Sequence, residues 1–186
     1  AAGSNNSVFA PIATFAIQLG VNAIHSPTHY LQMGALDPLL DIDIASLKLM
    51  RQRLDSEGSH GISIDYALLM PNRLIQDEKH LGLLIQKLSG LPFDNLVIRL
   101  SNFGSDISGS KMNSTFKALE SLSVLNKPIV IDHIGGIVGL AAVALGYASG
   151  TVHGIGERER FAANDWLKPR TPTKFGRSGY FPFPGL

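Results

Sequence analysis

Aliphatic runs that end in polar residues recur along this chain. "NAIHS" from Asn22, "GISIDYALLM" from Gly61, "NLVIRLSNF" from Asn95, "PIVIDHI" from Pro128 and "TVHGI" from Thr151 are dominated by Ile, Leu, Val and Ala. Runs of this length without strict alternation predict strands of a parallel sheet covered on its faces. Between them the apolar residues fall at helical spacing, with Leu81, Leu84, Ile85 and Leu88 on one face of one segment and Phe116, Leu119 and Leu122 on one face of another. "PIATFAIQLG" predicts a helix opened by Pro11 and stopped by Gly20, and "DIASLKLMRQRLDSEG" one capped by Asp43 and ended by Gly58. The run "IGGIVGLAAVALGYAS" predicts a fifth, buried helix. Its 16 residues fall short of the roughly 20 that cross a bilayer, so no membrane partner is expected.

Strands that alternate with single helices predict an α/β domain of parallel βα repeats over residues 1–163. A partial TIM-type (β/α) barrel and a five-stranded doubly wound open sheet both fit that order. No glycine-rich phosphate loop follows the first strand, and every strand ends in polar groups instead of one switch point collecting them. The barrel piece is therefore the expectation. From Asn164 the composition changes to prolines and aromatics without a helical period, which predicts an extended arm over residues 164–186. That arm docks on its own domain, on a second copy in a homo-oligomer, or on a missing remainder of the chain.

Composition narrows the chemistry. With 186 residues, 45% of them hydrophobic and 17% charged, the chain can bury a core without staples. The lack of cysteine excludes disulfides, thiolate zinc sites and cysteine nucleophiles and fits a reducing compartment, so a cytoplasmic protein is expected. A formal net charge of +1 gives no basic footprint for nucleic acid, which leaves a small-molecule ligand as the expected partner and nucleic acid as the second choice.

The candidate site residues are the polar groups at the strand ends. In "PIVIDHIGG" the adjacent Asp132 and His133 point to opposite faces while the strand lasts. Asp132 is assigned inward as base or nucleophile, and His133 or His153 as proton carrier. Asp65, followed by Tyr66, is the third catalytic candidate. Arg99 is the expected partner of Asp65 or a clamp for an anionic ligand, since its guanidinium grips carboxylate or phosphate with two bonds. Asn102, Glu157 and Arg158 complete the substrate-binding candidates, and the small polar loop "SNFGSDISGS" offers amides to a phosphate. His25 and His29 stand four apart, but Pro27 interrupts a helix between them. A divalent metal on one of them with Asp132 and His153 is conceivable, no motif supports it, and the cofactor is left unassigned.

Two short resemblances bear on the reaction. "PIVIDHIGG" resembles a strand of the amidohydrolase-2 group of barrel hydrolases, in which a Val-Ile-Asp-His segment sits in the active-site mouth. That group's His-X-His metal pair is absent here. "SVFAPIAT" and "IHSPTHYL" are similar to the early strand and the Thr-Tyr-His-Leu region of the queuine-type tRNA-guanine transglycosylases. This second resemblance implies base exchange on nucleic acid with Asp65 as the carboxylate. Tyr66-Ala67 stands where that family has Ser-Gly-Gly, and its cysteine zinc motif is missing. The leading expectation is a barrel hydrolase, lyase or transglycosylase using strand-end acid-base chemistry on a small polar or anionic ligand. Transglycosylase-like base exchange and a non-catalytic interaction module compete with it.

Overall fold

A computed structural model of the chain describes residues 6–104, 106–134, 137–152 and 161–163. The strands are β1 (Ala23–His25), β2 (Ser63–Pro71), β3 (Asn95–Ser101), β4 (Ile129–Asp132) and β5 (Gly150–Val152). They are joined by α2 (Pro38–Ser56), by α3 (Asn72–Ile75) with α4 (Glu78–Leu88), by α5 (Gly109–Leu122) and by α6 (Ile137–Ala144), and α1 (Asn6–Leu19) precedes them. All neighbours pair in parallel, and the order β1-β2-β3-β4-β5 follows the chain without a reversal. Right-handed crossovers in one direction set successive helices on the same face of the sheet. The result is a sheet curled into a half-barrel; a complete eight-stranded barrel is not formed by the described residues.

Among the described residues, one face of this sheet carries the hydrophobic core. Along β2 the alternate residues Ile64, Tyr66, Leu68 and Met70 are buried, against Leu47, Met50 and Leu54 of α2 and Leu84 and Leu88 of α4 in one cluster. Asp65, Ala67 and Leu69, between them, are half-buried on the other face, the inside of the curl. Val97 on β3 is buried there without joining the core cluster. That inside face holds the chemistry: β2 and β3 run in register from Asp65 beside Asn95 to Pro71 beside Ser101. Strand β4 continues the rows, with Ile98 beside Ile131, so that Arg99 and Asp132 meet one position later.

Several local expectations change. Pro11 lies inside α1 instead of opening it, and Gly20, at φ 62°, ends it as expected. Helix α2 starts earlier than Asp43: Asp37 caps it by accepting from the Leu39 N–H, with Pro38 in the first turn. Strand β2 runs on to Pro71, which moves Asp65 from the strand's end to its beginning. Residues 153–160 and the arm at 164–186 lie outside the described residues. No helix among those described is long and apolar enough to cross a membrane.

Candidate functional site

At the C-terminal ends of β3 and β4 a charged cluster forms on the inside face. Arg99 Nε donates to Asp132 Oδ2 at 2.8 Å, and its Nη2 bonds to the same oxygen. The other carboxylate oxygen, Oδ1, meets His133 Nδ1 at 2.8 Å. Burial pushes the Asp132 carboxyl up, but the hydrogen bonds and charges of Arg99 and His133 outweigh it and hold the group below its ordinary value. Asp132 is therefore an ionised anchor between a guanidinium and an imidazole. His133 sits one residue past the strand with φ at 59°, the left-handed region that L residues seldom adopt, and its N–H bonds to the Val152 carbonyl of β5. This turn is how two adjacent residues come to share one site: the strand ends at Asp132, so the opposite-face rule no longer separates them.

The expected Arg99–Asp65 pair is not what the sheet builds. Asp65 accepts from Asn95 Nδ2 at 2.7 Å, and Arg99 lies four residues farther along β3. At about 3.3 Å per residue that separation is about 13 Å, so Asp65 stands at the opposite end of the inside face from Asp132. Arg99, with Nε–H and one Nη2–H turned to Asp132, keeps Nη1 and the second Nη2 hydrogen for any ligand. Tyr66 faces the core, where its hydroxyl is buried without a partner among the described residues. His153, Glu157 and Arg158 fall outside the described residues.

Beside the charged cluster lies a cavity of about 410 Å³, over the ends of β2 and β3. Its walls include Tyr30, Asn72, Arg73, Ser101, Asn102 and Lys111. Asn102, expected as a ligand contact, does line it, held by a left-handed turn at φ 63° and an N–H bond to the Phe161 carbonyl. Phe161 joins the two features. Its ring packs edge-on to Tyr30 at a centroid distance of 5.8 Å and lies 5.8 Å from the Arg99 guanidinium carbon. Phe161 thus stands between cavity and cluster, at the end of the strands where parallel α/β sheets keep their sites.

A second carboxylate–imidazole pair opens the next loop. His29 Nδ1 lies 2.6 Å from Asp43 Oδ1, and the His29 N–H donates to Oδ2 of the same residue at 3.1 Å. Burial raises the Asp43 carboxyl, and the His29 bonds offset this only in part. His29 is thereby turned toward α2. Among the described residues no three His, Asp or Glu side chains gather as metal ligands do; the metal arrangement conceived with His153 extends outside them.

Comparison with known proteins finds no matching family model and no curated protein of significant similarity. The geometry must speak alone. Arg73, Lys111 and Phe161 were not among the expected site residues, whereas Ser101 opens the loop "SNFGSDISGS" expected to offer amides to a phosphate. "MPNR" carried the signal for Arg73, because a strand extended to Pro71 delivers the next two residues to the mouth. Lys111 lies in the first turn of α5, whose start the apolar spacing alone does not fix, and nothing local to Phe161 shows that it returns to Tyr30.

Proposed function

We propose that the protein is an enzyme of the (β/α)-barrel type that performs acid-base chemistry on a small polar or anionic ligand at the C-terminal ends of β3 and β4. The hydrogen-bonded chain Arg99–Asp132–His133 carries this reading. Asp132 fixes the imidazole through Nδ1, which makes Nε2 the nitrogen that takes a proton from the ligand and returns it. Arg99 keeps the Asp132 carboxylate ionised and in place as the acceptor of the His133 Nδ1–H. The left-handed backbone of His133 supports a functional placement, since such conformations persist where surrounding structure enforces them. The barrel-type assignment draws on the strand order, because a doubly wound sheet requires a reversal of direction that the sequence of strands here lacks.

The test is a thermal-melt screen against small carboxylates, sugars, nucleobases and phosphate esters, followed by incubation of each hit with the protein and product analysis by NMR. The expected result is a ligand that stabilises the fold and is converted, with conversion lost in His133→Gln and Asp132→Asn while binding persists. A stabilising ligand recovered unchanged from the wild-type protein would count against an enzyme.

A further inference from the structure

We infer that the cavity over the ends of β2 and β3 binds the phosphate of a small phosphorylated metabolite, with Arg73 and Lys111 as its cationic partners. This deepens the reading above by naming a ligand class, and rests on it only for regarding that ligand as the substrate. The described walls present donors and cations without a carboxylate among them. Arg51, Lys87 and Arg99 each meet an aspartate, whereas Arg73 and Lys111 form no ion pair among the described residues. Two exposed cations facing one cavity repel each other until an anion lies between them.

The uncharged walls point the same way. Ser101, 1% exposed, accepts the Ala163 N–H through its Oγ at 3.1 Å, which leaves the hydroxyl proton to seek an acceptor. Asn72, 6% exposed, is pinned through Oδ1 by the Thr115 hydroxyl at 3.0 Å, and its amide nitrogen has no protein acceptor among the described residues. Both residues line the cavity, where a phosphate brings several acceptor oxygens at once. Gln76 braces the floor by donating from Nε2 to the Lys111 carbonyl at 3.1 Å, which fixes the first turn of α5. The volume falls within the roughly 300–1,000 Å³ of small-molecule sites, and Tyr30 and Pro71 offer an apolar wall for the body of the ligand.

Isothermal titration of the full chain at low salt with ribose 5-phosphate, inorganic phosphate and ribose tests the inference. Ribose 5-phosphate is expected to bind, inorganic phosphate more weakly, and ribose not at all. Arg73→Ala with Lys111→Ala, both exposed positions, should weaken ribose 5-phosphate at least about tenfold without moving the melting temperature of the free protein. His133→Ala should leave that affinity within about twofold, so failure of the acid-base reading is separable from failure of this one. Equal binding of ribose, unchanged affinity in the double variant, or no binding of either phosphate would overturn it. Sedimentation with phosphatidic acid vesicles in the absence of ribose 5-phosphate binding would also overturn it, since the phosphate would then be a lipid headgroup.

Discussion

His133 combines an unfavourable backbone with a side chain that completes a hydrogen-bonded chain. A left-handed L residue costs on the order of 1 kcal/mol that glycine does not incur. His133→Gly and His133→Ala lose the same bond to Asp132, so their difference isolates the backbone term. The glycine variant should be the more stable by about 1 kcal/mol in urea melts, and an alanine variant of equal stability would show that the turn relaxes. Asp132 makes the pH dependence specific. Its folded carboxyl ionises at lower pH than the unfolded one, so its stabilising contribution is complete above the unfolded value near 3.9 and fades as pH falls through the folded value. Wild-type stability should therefore drop more between pH 5 and pH 3 than that of Asp132→Asn; parallel losses would refute the assignment.

At the scale of elements, Asp37 and Asp43 show what sequence could and could not convey. Both precede apolar residues at helical spacing, and both can cap. Asp37 is followed by Pro38, and a proline in the first turn needs no N–H partner, so the true start was legible. Asp43 was legible as an acid but not as a buried one, because its partner His29 lies 14 residues away, brought there by the return of the chain from β1. Asp37 also accepts from the Met33 N–H, and its replacement by Ala should cost about 1–2 kcal/mol. The seam between α6 and β5 is tighter still. A Cβ on Gly139 would stand 2.8 Å from Thr151 Oγ1 and 3.0 Å from the Ile134 carbonyl oxygen. Gly139→Ala should lose about 1–3 kcal/mol by overpacking, observed as a lowered urea midpoint, and Thr151→Ser should not rescue it because the hydroxyl remains.

Across the whole molecule, strand existence and order were readable from the aliphatic runs, whereas the faces were not. Among the described residues the core cluster packs on one face of strands predicted as covered on both, and the polar row of Asp65, Asn95, Arg99 and the buried Asp132 lies within runs that look uniformly apolar. A charged pair inside such a run is affordable because Arg99 retains 28% side-chain exposure along the inside of the curl. The same architecture divides stability unevenly. Strands β2 and β3 share a register from Asp65–Asn95 to Pro71–Ser101, while β1 and β5 have three residues each and, among the described residues, pair on one side only. Native-state hydrogen exchange should accordingly find Leu96, Ile98 and Leu100 opening only with global unfolding, and the amides of β1 and β5 opening earlier. His133 hangs its N–H on the Val152 carbonyl at that weaker margin. Its protection should therefore track β5 and not β3, and ligand binding at the cluster should raise both together. If His133 instead exchanged only with the central strands, the contact to β5 would be dispensable for positioning its imidazole.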